Sequence, residues 1–427
     1  MAQDTEQPAA TPADRPRPSK RPEQVRRRLA ATHRWTSLIV GGLLAVLMAS
    51  GVPLLYGAES FRARNGDMYQ PTHSATPLTA QQALEVARAE HPDFTAGNVI
   101  SDHGIFVVAD QRLNRAYGVD PGSGEITGSG HYYGGFQGFV ENLHAFGLSS
   151  PRYPGYVPFM ATEMPSFGLS SLEGKTLGDS LIGLLGVALV LLALSGLYLW
   201  WPGLRRLSSG FRARTGKSRY ITHRELHKVI GILSLPFLLM WGLTGAVAKY
   251  PVIEQGLLAV TGGDTGQVKA LNWDFASEPR DGAEEIGLDA AAKAALTVVD
   301  GRISNHTLPD PSDPASAYLF EISEPDWDPY DGTMLAGNDW VYVDKYDASH
   351  TKVVWSGHDA PLQNRVYEEL VYPSHFGWYH NGWVRLVWAV FGLAPLFLLT
   401  TGVVSWTVRH RRKRAREAAR TAATATA

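Results

Sequence analysis

Four long apolar runs constrain this chain more than any other feature. They cover roughly residues 37–56, 180–201, 229–250 and 384–408. A helix needs about 20 apolar residues to cross the ~30 Å hydrocarbon layer of a bilayer. In lipid the backbone must satisfy its own polar groups, which a helix does and an isolated strand does not. The runs therefore predict four membrane-spanning helices. Arg385, at the start of the fourth, lies close enough to the interface to extend its guanidinium to water.

Charge predicts the orientation. Basic residues crowd three short segments. Arg15, Arg17, Lys20, Arg21, Arg26, Arg27 and Arg28 precede the first run. Arg205, Arg206, Arg212, Arg214, Lys217 and Arg219 join the second to the third. Arg409, Arg411, Arg412, Lys413, Arg414 and Arg416 follow the fourth. Such segments stay on the cytoplasmic side, so both termini are expected there and the two long connections outside. Their juxtamembrane position accounts for the basic clusters without nucleic acid. The second connection is acidic, with 22 Asp and Glu against 7 Lys and Arg over 251–380. Scattered carboxylates of that kind are read first as a solvated surface, with metal buffering as a weaker alternative.

The expected organisation runs as follows. Residues 1–24 form a disordered cytoplasmic tail, 25–56 the first span, and 57–179 an outer module. Residues 180–202 form the second span, 203–222 a basic cytoplasmic linker, and 223–250 the third span. Residues 251–382 form a second, acidic outer module, 383–408 the fourth span, and 409–427 a basic tail ending in a stretch, 418–427, expected to be without structure. Each outer segment reads as helix followed by antiparallel strands. In the first, residues 83, 84 and 87 share a helical face, 104–109 and 115–119 alternate, and 120–125 make a turn. In the second, 288–296 is helical, 317–322 and 340–343 are strand-like, and a turn begins at Asp344.

The spans also repeat. Each holds a hydroxyl–glycine step: Ser50-Gly51, Ser195-Gly196, Thr244-Gly245 and Thr401-Gly402. His33 and His227 each lie 18 residues before the glycine of their own span, which places both at the cytoplasmic face. His144 and His375 precede the second and fourth spans, at the outer face. Neutral imidazole is a strong ligand for iron, and two fill both axial positions of haem without leaving an open site. With a rise of about 1.5 Å per residue, Gly51 and Gly245 fall level with the outer histidines, and Gly196 and Gly402 with the inner ones. Glycine lets a flat macrocycle approach a helix. The residues thus predict two b-type haems, each between two histidines and bordered by two glycines. Packing between helices is the plainer reading of the glycines. A zinc or copper site is the rival for the histidines, since His223 and His227 stand one turn apart and His375 and His380 are close in sequence. His223 and His380 otherwise serve as spare ligands or contacts to haem propionates, with Arg34, Arg224 and Lys228 as neutralising cations.

Other chemistry is excluded. The chain has no cysteine, which rules out disulfides, iron–sulfur clusters and thiolate catalysis. No glycine-rich phosphate loop follows a strand, and the inner segments are too short for a flavin or nicotinamide domain. An electron donor would be a separate cytosolic reductase or a membrane quinol.

These motifs resemble the PepSY-associated transmembrane family, bacterial iron-regulated membrane proteins that include ferrisiderophore reductases. The resemblance spans about 30–410. It rests on His33-Arg-Trp, Leu143-His144, the segment Ser195 to Pro202, Leu226-His227-Lys-Val-Ile-Gly231, and His375-Phe-Gly with the segment 382–388. The outer modules look like PepSY domains, through 83–88 with 119–125 and through Val343-Asp344. The resemblance implies a membrane α-helical fold in the bacterial cytoplasmic membrane: a four-helix bundle with two extracytoplasmic α+β PepSY-like modules. It implies haem, with His33, His144, His227 and His375 as ligands, and reduction of ferric chelates by some members. One departure stands out: about 30 residues, 149–178, separate His144 from the second span, where the family runs almost directly on. The expected function is transmembrane electron transfer to an extracytoplasmic ferric chelate in iron uptake. The alternative is a non-enzymatic, membrane-anchored protein whose outer modules bind a peptide, a peptidase or an envelope partner.

Overall fold

The computed structural model describes residues 21–168, 172–203, 205, 207–213, 216, 218–265, 274–279, 282–323, 338–354, 361–377 and 382–425. Helix α1 spans Arg21–Leu54, followed by α2 (Gly57–Arg64) and α3 (Ala80–Glu90). Strands β1 (Asn98–Asp102), β2 (Ile105–Ala109), β3 (Ala116–Val119) and β4 (Ile126–Gly130) come next. Then follow α4 (Gly135–Phe146), α5 (Leu177–Trp200), α6 (Leu207–Gly210), α7 (Arg219–Lys249), α8 (Pro251–Thr261) and α9 (Leu288–Val298). Strands β5 (Arg302–Thr307), β6 (Tyr318–Ser323), β7 (Asn338–Val343) and β8 (Thr351–Val354) precede α10 (Leu362–Val366), α11 (Tyr372–Phe376), α12 (Gly382–Gly392) and α13 (Ala394–Ala425).

Four helical segments are long and apolar enough to cross a membrane: Glu23–Leu54, Leu177–Trp200, Arg219–Lys249 and Trp383–Thr424. The last is α12 and α13 in succession. It breaks at Leu393, where Pro395 lacks the N–H that would continue the ladder and Leu396 bonds back to Leu393 O instead. The helices form a bundle whose middle is filled by Leu44, Leu185, Leu189, Ala193 and Leu238. Helices α5 and α7 cross closely through glycine. A Cβ on Gly186 would lie 2.8 Å from the Ala246 nitrogen and 2.9 Å from Gly242 O. Small residues of this kind let membrane helices touch backbone to backbone.

Two composition-based expectations need correction. Residues 21–24 belong to α1 rather than to a tail, and α13 runs on to Ala425. The alanine- and arginine-rich end has high helix propensity, and α13 carries it beyond the apolar stretch as an exposed extension. Residues 1–20 lie outside the described residues.

The two long connections do not fold as two separate modules. Their strands make one antiparallel eight-stranded sheet, in the order β4-β3-β2-β1-β5-β6-β7-β8. Each half is a meander, and the halves join along their first strands, with Asn98 opposite Thr307, Val99 opposite His306 and Ile100 opposite Asn305. One core serves both. Ala83, Leu84 and Ala87 of α3 and Leu288, Ala291 and Ala295 of α9 cover the same face, over Val99, Val108, Phe320 and Val341. The physical reason is twofold. A single helix on four short strands buries too little apolar surface to stand alone, and β1 and β5 would each be an open edge. The sequence pattern revealed β2, β3, β6 and β7, which are rich in apolar, β-branched and aromatic residues. It missed β1, β4, β5 and β8, and it read α4 only as an apolar run. The two halves end β3 and β7 in matching aspartates. Burial pushes the Asp120 carboxyl up, but hydrogen bonds from Thr72, Gly122 and Ser123 outweigh it and hold the group well below the carboxylate range. Asp344 is depressed in the same way, by His350, Glu278 and Tyr346 against its burial.

Candidate functional site

Four imidazoles face into the bundle, two toward the end that carries the chain termini and two toward the sheet. At the terminal end, His33 of α1 places Nδ1 2.8 Å from Ser195 Oγ of α5. His227 of α7 places Nδ1 3.0 Å from Leu398 O and 3.1 Å from Thr401 Oγ1, both on α13. At the sheet end, His144 of α4 places Nδ1 2.8 Å from Leu47 O and 3.2 Å from Ser50 Oγ, both on α1. His375 of α11 places Nδ1 2.7 Å from Thr244 Oγ1 of α7. Every one of these hydroxyls belongs to a hydroxyl–glycine step.

The hydrogen bonds bear on the tautomer. Ser50 Oγ donates to Leu47 O at 2.6 Å, Ser195 Oγ to Leu192 O at 3.0 Å, Thr244 Oγ1 to Met240 O at 2.8 Å and Thr401 Oγ1 to Phe397 O at 2.8 Å. A hydroxyl has one hydrogen, so each of these oxygens is left to accept. The carbonyls of Leu47 and Leu398 also only accept. The carbonyls put the proton on Nδ1 of His144 and His227 and the lone pair on Nε2, and the hydroxyls beside His33 and His375 are placed to accept from Nδ1 in the same way. That is the form in which a histidine binds a metal, with the far nitrogen held by an outer partner.

The rings come in pairs. The centres of His144 and His375 are 6.1 Å apart, with their planes at 60°. Two metal–imidazole bonds of about 2 Å, each extended by the ~1 Å from ring nitrogen to ring centre, span about 6 Å. The sheet-end pair is thus separated by the width of one metal ion with its two bonds. His33 and His227 lie within electrostatic reach of each other. The 18 residues from His33 to Gly51 set the two levels about 27 Å apart along α1, with the leucine-rich middle of the bundle between them.

Each of the four glycines lies beside one of the histidines. Their nearest neighbours are imidazoles. A Cβ on Gly51 would stand 2.7 Å from His144 Cε1, one on Gly196 3.4 Å from His33 Cε1, one on Gly402 3.6 Å from His227 Cε1 and one on Gly245 3.9 Å from His375 Cε1. The hydroxyl of each step meets Nδ1; at Gly51 a side chain would intrude on the ring, whereas at Gly196, Gly402 and Gly245 a Cβ would stand at ordinary contact distance.

The sheet-end rings sit on short helices, and extra bonds hold these in place. Trp241 Nε1 donates to His375 O at 3.0 Å, and Trp388 Nε1 to Ser374 O at 2.6 Å. In α4, Asn142 Nδ2 donates to the carbonyls of Ser150, Tyr153 and Pro154, and its Oδ1 accepts from Ser150 N. The long segment after His144 returns to its start. The backbones of Gly147 and Gly178 are so close that a Cβ on Gly147 would meet Gly178 O at 2.6 Å. The excursion therefore leaves α4 directly against α5. Sequence reading missed the two tryptophans and Asn142, and saw the four hydroxyls without their partners. Their recurrence beside the same glycine was the available signal.

The secondary candidates divide. His223 Nδ1 is buried with no hydrogen-bond partner, while His380 lies outside the described residues. Lys228 is paired with Glu225 at 2.6 Å. No group of three or more His, Asp or Glu side chains able to hold a bare metal ion occurs among the described residues. A pair of imidazoles alone suits a metal whose other ligands arrive with it, as the four pyrrole nitrogens of haem do.

A family model described as PepSY-associated TM region matches residues 30–409. No curated protein matches the chain.

Proposed function

The chain belongs to the PepSY-associated TM region family, and from that membership and its paired imidazoles we propose that it is a haem-bearing electron carrier of the bacterial cytoplasmic membrane. Its acceptor is a ferric chelate, such as a ferrisiderophore, on the outer side. The observation that carries this reading is the 6.1 Å between the His144 and His375 rings, with Nδ1 of each tied back.

The basic segments orient the bundle with both termini in the cytoplasm and the sheet outside, its halves being two PepSY-like repeats fused along β1 and β5. His33 and His227 would hold one haem and His144 and His375 the other. An iron held there by two imidazoles would exchange single electrons and offer no open position to dioxygen. The chain would keep each Nε2 unprotonated and aimed by the hydroxyl at Nδ1. The leucines between the two levels exclude water from the path. One electron converts ferric to ferrous iron in the chelate, and the softer ion is held less tightly by hard oxygen ligands. The donor is a cytosolic reductase or a membrane quinol.

The test is optical. Protein purified from haem-replete cells should show a dithionite-reducible b-type spectrum with two haems per chain. Replacing His227 by Ala, or His375 by Ala, should each remove one of the two. A colourless wild-type protein overturns the reading.

A further inference from the structure

Three buried polar atoms near the terminal-end histidines have no hydrogen-bond partner: Arg34 Nε, His223 Nδ1 and Ser405 Oγ. They come from three different helices, α1, α7 and α13. Contacts between the helices, continued by helix periodicity, put them near one level. Gly41 of α1 faces Leu399 of α13, with a Cβ distance of 3.1 Å. The helices run antiparallel, so two turns nearer the termini the same face of α1 brings Arg34 beside Ser405 and Trp406. His227 of α7 faces Leu398 and Thr401. One turn nearer the termini, His223 faces Ser405. The three groups therefore gather one turn from His227 and one residue from His33.

Unpaired buried polar atoms are costly and rare in native structures. Three at one level require a common partner. A guanidinium, an imidazole N–H and a hydroxyl all donate, and their shared complement is a carboxylate, whose two oxygens accept several bonds and whose charge answers the arginine. Two other cations near the pairs are matched by carboxylates of the protein itself. Lys228 meets Glu225 at 2.6 Å, and Arg385, at the sheet end, meets Glu59 at 2.6 Å.

We propose that Arg34, His223 and Ser405 form a carboxylate-binding site that takes the acidic edge of a haem held between His33 and His227. This rests on the haem reading above and adds to it a charge-specific site at the terminal end of the bundle.

The full-length protein in detergent, stripped of haem, would be titrated with haem b and with haem b dimethyl ester, whose carboxylates are blocked. In the wild type both sites should fill with haem, and the ester should occupy one of the two about tenfold more weakly. Arg34→Gln should weaken haem at that same site about tenfold and leave the ester unaffected. A second readout needs no haem. Ser405→Ala removes an unpaired buried hydroxyl, so it should raise the thermal midpoint of the stripped protein and lower that of the loaded one. Equal binding of acid and ester by the wild type, equal loss of both in Arg34→Gln, or destabilisation of stripped and loaded forms alike by Ser405→Ala overturns the site while leaving the two-haem reading intact. Failure of the wild type to bind haem at either site overturns both.

Discussion

The two histidine pairs have the same chemistry on unlike supports. His33 and His227 ride on α1 and α7, helices of 34 and 31 residues. Each lies at the interior of a long helix, so its backbone needs no further anchoring. His144 and His375 ride on α4 and α11, helices of 12 and 5 residues. A five-residue helix does not sustain itself. The sheet end accordingly adds the Asn142 network around α4 and the Trp241 and Trp388 indoles over α11, which have no counterpart among the described residues at the terminal end. A ligand on a spanning helix is placed by the span. A ligand on a short connecting helix is placed by side chains that grip its backbone.

The pairs also differ within themselves. His144 and His227 bond both a carbonyl and a hydroxyl through Nδ1, while Nδ1 of His33 and of His375 meets a hydroxyl. Each pair therefore has one doubly and one singly held ring. The glycine contacts grade as well, from 2.7 Å at Gly51 to 3.9 Å at Gly245. The sharpest break of the symmetry should come there. Gly51→Ala forces a methyl into the His144 ring and should displace it, emptying the sheet-end site. Gly245→Ala places its methyl at ordinary contact distance from His375 and should leave the haem content near two. Haem per chain by pyridine haemochrome decides this. Loss in both variants, or in neither, would mean that the close approach at Gly51 does not set the His144 ring.

A smaller effect should separate the singly held from the doubly held rings. Outer-sphere partners of a metal-binding histidine are worth about 10- to 100-fold in affinity. Ser195→Ala and Thr244→Val remove the hydroxyl that meets Nδ1 of His33 and of His375 and should fall in that range. Ser50→Ala and Thr401→Val leave Leu47 O and Leu398 O in place and should cost less than tenfold. Haem titration of the four stripped variants reads the order directly, and equal losses in all four would show that the carbonyls do not hold the tautomer.

Much of this was legible in the sequence, and for identifiable reasons. The four spans show because lipid imposes length and apolarity on every residue of a run. The histidine–glycine interval shows because a straight helix converts sequence spacing into height. The hydroxyl partners do not show, because His33 meets Ser195 across 162 positions and His144 meets Ser50 across 94, distances set only by how the helices pack. The joined sheet was hidden for a similar reason. Strands β1 and β5 carry Asn98, Ser101, Asp102, Ser304, Asn305 and His306, too polar to read as strands until their pairing buries them.

His306 offers the control that isolates what makes a ligand here. Its Nδ1 lies 2.8 Å from Val99 O, the same tie that His144 makes to Leu47 O. On its other side it meets the Phe320 ring, with centres 5.7 Å apart, rather than a second imidazole. If a backbone tie alone made a haem ligand, His306→Gln would change the haem content; the pairing argument expects no change. Its effect should appear in stability instead. Burial, partly opposed by the Val99 carbonyl and Asp289, lowers its pKa from 6.5 to about 4. As pH falls below 6.5 the unfolded chain takes up a proton that the folded sheet refuses until about pH 4. Stability is therefore unaffected above that window and declines within it, by on the order of 3 kcal/mol at the bottom. Thermal unfolding of the wild type and His306→Gln between pH 7 and 4 should show the variant losing less with acid, the carboxylates contributing equally to both. Parallel pH profiles would place the His306 ring in water, and a fall in haem content would make the tie, rather than the facing imidazole, the feature that selects a ligand.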